Sequence, residues 1–355
     1  MKRLQCLDGL RGVLAVYVML SHMAPFAVIP SWLTRALSHG GAAVDVFFIL
    51  SGLVIVRSLE GFGYRARPFL VARVARIFPV FLAMFAVALA VQPIPAGFDR
   101  LEWIRADSPA RDIWSGGWPR DWVAEIAAHL TMTHGLLPDG VLPNAWVSFL
   151  GAAWSLSTEW QFYLLMLLMG RRWGGTVLPW LGLAVVAAIW TAATPEAWHF
   201  SRAFLPNKAQ YFALGIASAG LVTGSRRPLA FGVTLSAVLS LCWWQGGMDK
   251  LLPPLIWTVC LAAELQPVRP GLTAVSNFLR ARPLQWLGAL SYCVYLANEP
   301  VQKLLGVGLA RTAHGDGVMF TVLWLPGAIG LPLLAAMWLR TRIELPALRW
   351  ARRLR

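Results

Sequence analysis

The chain has 355 residues, of which 57% are hydrophobic and 14% charged, and its mean hydropathy is +0.59. Soluble domains carry about 25% charged residues, so this composition excludes an ordinary soluble fold and predicts an all-α, polytopic membrane protein. The net charge of +14 is explained by basic loops that orient membrane helices, and it therefore gives no reason to expect nucleic-acid binding.

Apolar runs long enough to cross a hydrocarbon core of about 30 Å recur along the whole chain. They predict about ten transmembrane helices. The second, fourth and eighth are short for full spans, so we expect them to tilt or to thin the bilayer. The predicted helices cover residues 10–28, 42–56, 77–91, 155–169, 177–193, 204–222, 229–244, 251–265, 284–305 and 318–339.

The charges of the loops orient these helices. If the N-terminus is cytoplasmic, 21 of the 31 Lys and Arg residues fall on the cytoplasmic side. The positive-inside rule then predicts an even number of spans with both termini in the cytoplasm. We expect a transmembrane domain over residues 1–340, a basic cytoplasmic tail over residues 341–355, and no cleavable signal peptide.

The first predicted helix carries Arg11 and His22 in an otherwise apolar stretch. Eleven helical positions turn through about 1100°, roughly 20° beyond three turns, so both side chains share one face about 16 Å apart along the axis. Ionisable groups at membrane depth cost from about 2.5 kcal/mol upward and normally face a polar cavity. Arg11 can alternatively snorkel, and His22 can be a hydrogen-bonded core residue. Their common face favours a single internal passage that both residues line.

The second predicted helix contains the string GAAVDVFFILSGLVIVRS. Asp45 lies near its outer end, at a depth that His22 matches, where a carboxylate can fix the tautomer of the imidazole. The alternative is a carboxylate that offsets the dipole at the start of a helix. The Ser51-Gly52 pair allows close helix packing and need do nothing more.

Arg73 and Arg76 share a face just before the third predicted helix. The pair either adds positive charge to a cytoplasmic loop or clamps an anionic ligand, because guanidinium groups match the geometry of phosphate. The outer segment 92–151 follows this helix. It contains the stretch WVAEIAAHLTMTHGLLP, which Glu125 and His129 interrupt, so we predict an interfacial or re-entrant helix there.

The densest polar cluster is AAWSLSTEWQFYLL, at the start of the fourth predicted helix. Ser155 and Glu159 are four residues apart and hence on one face, with Trp154 and Ser157 close by. Glu159 needs a partner, either Arg11 or an arginine of the second loop, or it belongs to a purely structural buried pair. The ninth predicted helix adds the polar residues Ser291, Tyr292, Tyr295, Asn298 and Glu299.

These motifs, taken in order, resemble the membrane acyltransferase-3 family. They are LDGLRG with the R-x10-H pair (Arg11, His22), V-D-x-F-F-x-L-S-G (Asp45, Ser51, Gly52), R-x-x-R-I-x-P (Arg73, Arg76, Pro79), W-S-L-x-x-E-W-x-F-Y (Trp154 to Tyr163) and L-S-Y-x-x-Y-L (Leu290 to Leu296).

The resemblance implies an O-acyltransferase of the bacterial cytoplasmic membrane. The acyl group, usually acetyl, comes from cytoplasmic acyl-coenzyme A and passes to a hydroxyl of a cell-envelope glycan, such as a polysaccharide, or of a secreted metabolite. It also implies that Arg11 and His22 are essential, with His22 catalytic, and that Arg73 and Arg76 engage the donor. No metal is implied, and the four scattered cysteines indicate none.

Two features depart from the family pattern. Asn298 stands where family members often carry histidine, which puts an acid–base role for that position in doubt. No hydrolase-like domain follows the tenth predicted helix, so the sequence resembles the stand-alone form of the family.

The expected chemistry uses neutral His22 as a general base on the acceptor hydroxyl, oriented by Asp45 or a serine and supported by Glu159. Tyr292, Ser157 or a tryptophan N–H is expected to stabilise the oxyanion. His22 can alternatively act as a nucleophile through an acyl-imidazole. A different function, that of a proton-coupled exporter or glycan translocase, would use the same buried polar residues as a relay.

Overall fold

The computed structural model describes residues 3–95, 97–98, 101–104, 113–114, 117–224, 228–246, 248–312 and 315–354. Within those ranges the chain is helical and forms no β-strand, which confirms the predicted all-α fold. The α-helices in chain order are α1 (Gln5–Met23), α2 (Ser31–Ala36), α3 (Gly40–Gly61), α4 (Ala66–Val91), α5 (Trp122–Leu130), α6 (Trp154–Trp173), α7 (Leu178–Ala193), α8 (Ala209–Val222), α9 (Pro228–Gly246), α10 (Met248–Leu265), α11 (Thr273–Arg280), α12 (Arg282–Thr312), α13 (Gly317–Leu339) and α14 (Leu345–Arg353).

Each of the ten predicted helices has a helical counterpart, although the ends differ. Two of the helices predicted to be short are longer in the structure, with 22 residues in α3 and 18 in α10, whereas a kink at Gly170 divides the 20 residues of α6. α3 shows the reason, because it continues past its apolar run through Arg57 and Ser58 to Gly61. Backbone hydrogen bonds sustain a helix whether or not its side chains are apolar, so hydropathy underestimates helix length.

Several segments of the described chain are long and apolar enough to cross a bilayer, so the protein is a multi-pass membrane protein. By length and composition five segments qualify, and α7 is a shorter apolar helix. The five are Gln5–Phe26, Ser31–Gly61, Ala66–Val91, Pro228–Gly246 and Gly317–Arg353. Ten spans with both termini in the cytoplasm stay a prediction.

In the described part of the outer segment, the longest helix is α5, whose nine residues are too few to span a bilayer. Its interfacial or re-entrant position stays a prediction. Residues 96, 99–100, 105–112 and 115–116 of this segment lie outside the described residues.

Glycines bring α1 close to α12. A Cβ atom on Gly12 would lie 2.7 Å from the backbone nitrogen of Gly288 on α12, and one on Gly9 would collide with the backbone carbonyl of Leu279 on the neighbouring α11. Small residues allow this approach between membrane helices. The two helices run in the same direction, because Gly12 meets Gly288 at one end and His22 meets Asn298 at the other.

A second close contact joins α3 to α8. A Cβ atom on Gly52 would collide with the backbone carbonyl of Phe212, and one on Gly215 would collide with that of Ile49. The packing role predicted for the Ser51-Gly52 pair is therefore correct for Gly52. Ser51 has a separate hydrogen-bonding role, which is part of the site.

The C-terminal segment is an ordered part of the bundle. A π-helical turn, Arg340–Glu344, joins α13 to α14. Glu344 is buried and forms an ion pair with Arg76 of α4. The residues predicted as a basic tail therefore pack on α4; their cytoplasmic location stays a prediction.

Candidate active site

Some of the predicted site residues line one of two cavities. The arginine cavity, of about 540 Å³, is lined by Arg3, Leu4, Leu7, Asp8, Arg11, Leu50, Leu53, Val54, Arg57, Ser58, Gly61, Phe62 and Arg73. The histidine cavity, of about 760 Å³, is lined by His22 together with residues of α3, α12, the outer segment and the start of α6. In the described part of the chain, no residue lines both cavities.

The expectation of one passage lined by both Arg11 and His22 was therefore wrong. Arg11 lines the arginine cavity and His22 the histidine cavity. Leu14 and Ala15, which lie between them on α1, are 6% and 1% exposed. The helical spacing gives the common direction of the two side chains, but it says nothing about the packing of the residues between them.

His22 is held by Asn298. The imidazole Nδ1 lies 2.7 Å from Asn298 Oδ1, and Asn298 Nδ2 donates to the backbone carbonyls of Val294 and Tyr295 at 3.1 and 2.6 Å. Because the amide nitrogen is committed to two acceptors, the amide oxygen must accept, and Nδ1 carries the proton. In the neutral tautomer Nε2 carries the lone pair, and it has no hydrogen-bond partner among the described residues. Asn298 is therefore a positioning residue for the imidazole.

Asp45 does not orient His22, contrary to the prediction. Its Oδ1 lies 2.6 Å from Lys208 Nζ, and the two side chains are 5% and 7% exposed. Lys208 also lies over the ring of Trp154, 5.7 Å from its centroid. A catalytic role for Asp45 stays a prediction. Lys208 was not predicted, although a lysine just before an apolar helix was a usable signal.

Glu159 is satisfied by hydroxyl groups. Ser51 Oγ donates to Oε1 at 2.5 Å, and Tyr163 Oη donates to Oε2 at 2.6 Å. Within the described ranges no arginine forms an ion pair with Glu159, so the expected partnership with Arg11 or the second loop was wrong. The guanidinium of Arg73 lies over the Tyr163 ring, 5.9 Å from its centroid. Ser51 therefore supports Glu159, whose catalytic role stays a prediction.

The two arginines of the predicted clamp separate. Arg73 lines the arginine cavity, where its Nη2 donates to Ser58 Oγ at 3.1 Å. Arg76 is paired with Glu344 and lies over the ring of Tyr292, 4.9 Å from its centroid. Side chains three residues apart lie on the same side of a helix but do not point in the same direction. α4 packs against different neighbours at Arg73 and at Arg76.

Two of the predicted oxyanion donors are used by the backbone. Tyr292 Oη donates to the carbonyl of Ile77 at 2.6 Å, and Ser157 Oγ donates to the carbonyl of Met132 at 2.8 Å. A hydroxyl has one proton to donate. Neither residue lines the histidine cavity as described, so that assignment was wrong for both.

Trp154 lines the histidine cavity, and Ser155 is linked to it through Tyr295; a supporting role for either residue stays a prediction. Trp154 forms part of the cavity wall and is 7% exposed. Ser155 Oγ shares a hydrogen bond of 2.8 Å with Tyr295 Oη, and Tyr295 lines the cavity. The Tyr295 hydroxyl is thus a donor or acceptor at the cavity wall; the sequence placed it among the polar residues of the ninth predicted helix without a role.

Three charged residues of the histidine cavity were not predicted as site residues. Glu299 lines it and accepts the N–H of Ala152 on Oε2 at 2.9 Å. Lys303, four residues further along α12, is 9% exposed. Arg202 lies over the rings of Trp146 and Trp154. The four-residue spacing of Glu299 and Lys303 on one helix face was the available signal.

The outer segment is attached behind this cavity by two stacked histidines. The rings of His129 and His134 lie 4.1 Å apart at an angle of 6°. His134 Nε2 donates to the carbonyl of Ala153, the residue before α6, at 3.2 Å. Burial lowers the pKa of His129 to about 4 and that of His134 well below its usual value, so both are neutral near pH 7.

The chain is therefore a multi-pass membrane protein, and the oriented imidazole of His22 at the edge of a large cavity is a candidate acid–base site. This chain belongs to the acyltransferase-3 family: the family model, described as an acyltransferase domain, matches residues 4–341. The match covers nearly the whole chain and confirms the resemblance found in the motifs.

Curated relatives agree with this family. The acyltransferase MdmB of Streptomyces mycarofaciens is 27% identical over 390 residues, covering 98% of this chain and 92% of the relative. The peptidoglycan O-acetyltransferase OatA of Listeria monocytogenes is 25% identical, over 85% of this chain and 50% of the relative. A putative membrane-bound transacylase, BcsY of Komagataeibacter xylinus, is 28% identical over 87% of this chain and 75% of the relative. No solved structure matches the chain significantly.

Proposed function

We propose that the protein is a bacterial inner-membrane O-acyltransferase that moves an acyl group, such as acetyl, from cytoplasmic acyl-coenzyme A to a hydroxyl of a cell-envelope glycan or related acceptor. The observation that carries the proposal is the hydrogen bond from His22 Nδ1 to Asn298, which leaves Nε2 as a base beside the histidine cavity. The acceptor class is supported by the name of the relative OatA, a peptidoglycan O-acetyltransferase.

In the proposed reaction, His22 Nε2 takes the proton of the acceptor hydroxyl as its oxygen attacks the thioester carbonyl. The tetrahedral oxyanion collapses, the C–S bond breaks, and the coenzyme A thiolate takes the proton from the imidazolium. A general base of this kind accelerates a reaction by about 10²–10⁴-fold. Asn298 holds the ring throughout, because its oxygen accepts from Nδ1 in both protonation states.

The oxyanion needs a donor at the wall of the same cavity. Lys303 and Arg202 line the histidine cavity as cations, and Tyr295 lines it with a hydroxyl. A cation aimed at the developing charge in a water-poor site is an effective stabiliser. These three residues replace Tyr292 and Ser157 as the groups on which we base this step.

The donor enters from the arginine cavity in this proposal. Its phosphates bind to arginines there, and the pantetheine arm extends along α1 toward His22, a rise of about 16 Å over eleven residues. The arm must separate side chains between α1 and α3, since Leu14 and Ala15 are buried there. The reaction therefore includes an opening step before the acyl group reaches the base.

The first test is His22→Ala and His22→Gln, with His199→Gln as the matched control. His199 lies in the loop before α8, where its Nε2 bonds to the carbonyl of Thr194 at 2.9 Å. Purified protein is given labelled acetyl-coenzyme A, and thiol release and acyl transfer to envelope glycans of a complemented deletion strain are measured. We expect the rate of acyl transfer to fall by at least about 100-fold in both His22 variants, at normal membrane abundance.

Activity close to that of the parent protein in either His22 variant would remove the base assignment. A parent protein that neither binds nor hydrolyses acetyl-coenzyme A would overturn the donor and favour the transporter alternative. An acyl-imidazole intermediate would instead give a burst of thiol release equal to the amount of enzyme before any acceptor is added.

A further inference from the structure

The arginine cavity holds more positive charge than its own carboxylate offsets. Four arginines line it together with one acidic residue, Asp8. Asp8 already accepts from Arg3 Nε at 2.7 Å. The guanidinium groups of Arg11, Arg57 and Arg73 therefore line the cavity without an ion-pair partner in the described part of the chain.

Arg57 lies on the face of α3 that forms one wall of this cavity. The lining residues of α3 recur at intervals of three and four, as one helix face requires. They are Leu50, Leu53, Val54, Arg57, Ser58 and Gly61. Arg57 is half-buried, and no hydrogen bond or ion pair joins it to another described residue. Its sequence position indicated only a positively charged loop.

Two neighbouring arginines need an acceptor. The Nε atoms of Arg11 and Arg73 are buried and have no hydrogen-bond partner among the residues that the structure describes. Buried N–H groups in native proteins are nearly always paired, so each indicates an acceptor supplied from elsewhere. Arg73 is already fixed by Ser58, and its guanidinium is therefore preorganised.

We propose that Arg57 is a third phosphate-binding residue of the donor site, beside Arg11 and Arg73. It takes the place that sequence analysis gave to Arg76, whose guanidinium is occupied by Glu344. Guanidinium groups bind phosphate oxygens in a bidentate manner, and three of them suit the diphosphate and 3′-phosphate of coenzyme A. The inference rests on the proposed function, because it takes coenzyme A as the donor.

The apolar part of the wall fits the same ligand. Leu7, Leu50 and Leu53 line the same cavity as the arginines. An apolar surface beside guanidinium groups suits a ligand with a long uncharged arm and a phosphorylated end. An inorganic anion would leave the leucines without a contact, so we expect weaker binding of phosphate than of coenzyme A.

The test measures binding of coenzyme A, 3′-dephospho-coenzyme A and pantetheine to the purified full chain in detergent by calorimetry. Arg57→Ala is expected to raise the Kd for coenzyme A by about 10- to 100-fold, the value of a charged hydrogen bond. Binding of pantetheine, which has no phosphate, should change less than about twofold. Arg57→Lys keeps the charge and should weaken coenzyme A binding by a few-fold, about 3–5, because the bidentate geometry is lost.

Arg67→Ala is the matched control. Arg67 is an exposed arginine at the start of α4 that lies outside the lining of the cavity, so its loss removes one positive charge and no proposed contact. Its Kd for coenzyme A should stay within about twofold. Arg76→Ala should lower the unfolding temperature, since Glu344 is left buried, while the folded fraction binds coenzyme A normally.

The outcomes separate the two proposals. If folded Arg57→Ala and Arg57→Lys bind coenzyme A like the parent, the role of Arg57 is refuted and the proposed function stands. If Arg57→Ala weakens pantetheine as strongly as coenzyme A, phosphate recognition by this residue is refuted. If the parent protein itself binds no coenzyme A, the donor assignment fails and Arg57 fails with it.

Discussion

The buried pair of Asp45 and Lys208 allows a test of both stability and catalysis. At 2.6 Å the two charges attract by about 6 kcal/mol at an effective dielectric constant of 20, before desolvation is subtracted. Removal of one partner leaves the other charged and buried, which typically costs about 3–5 kcal/mol. Replacement of both by apolar residues leaves no buried charge and often costs little.

The perturbation is therefore Asp45→Val, Lys208→Met and the double variant. We expect each single substitution to lower the free energy of unfolding by about 3–5 kcal/mol and the double to lower it by about 1–2 kcal/mol. Unfolding is followed by tryptophan fluorescence during detergent titration of the purified protein in mixed micelles. The coupling energy of the pair is then about 4 kcal/mol or more.

The ion pair would be refuted if each single substitution lowered the free energy of unfolding by less than about 1 kcal/mol and the two effects added in the double variant. The same double variant tests the catalytic assignment of Asp45. Because the carboxylate contacts Lys208 and not His22, we expect the folded double variant to keep acyl transfer within about tenfold of the parent. A folded double variant with no transfer would show that the Asp45–Lys208 pair is required for the chemistry.

Three further predictions concern the imidazole, the helix contact and the outer segment. Asn298→Leu should lower kcat about tenfold with little change in KM, because His22 loses the acceptor that fixes its tautomer and orientation. Gly12→Leu should prevent α1 from approaching α12 and abolish the folded protein in the membrane. Because the pKa of His129 is lowered to about 4, the unfolded chain binds more protons below about pH 6.5, so stability should fall with pH from about 6.5 to about 4. His129→Phe should flatten that dependence, measured as unfolding temperature against pH.

Each of these has a contrary result. A parental kcat in Asn298→Leu would show that Asn298 does not position His22. Normal membrane abundance of Gly12→Leu would contradict the close helix contact. Unchanged unfolding temperatures between pH 7 and pH 4 would contradict the burial of His129 in its neutral form.

The sequence predicted the helices well because hydropathy and loop charge are local properties. All ten predicted helices are present, and the stretch around Glu125 forms only a short helix. The prediction that α3 is short was wrong, because the helix continues through final turns that carry polar residues such as Arg57. Those residues border a cavity, which a hydropathy profile cannot register.

The polar partners could not be predicted in the same way. The partner of Glu159 lies on α3 and that of Asp45 lies at the start of α8. These pairings depend on which helices are neighbours and at what depth, and a single sequence contains neither. Arg73 and Arg76 show this most directly. They belong to one sequence motif, but Arg73 bonds to Ser58 and Arg76 pairs with Glu344.

The catalytic imidazole of the proposal and its amide partner are separated by 276 positions in the chain. The ribosome therefore makes His22 long before it makes Asn298, and the base is correctly aligned only after α12 has entered the membrane beside α1. A nascent or C-terminally truncated chain would carry the histidine but lack the means to hold it. Under the proposed function, the imidazole therefore becomes a positioned base only when the bundle is assembled.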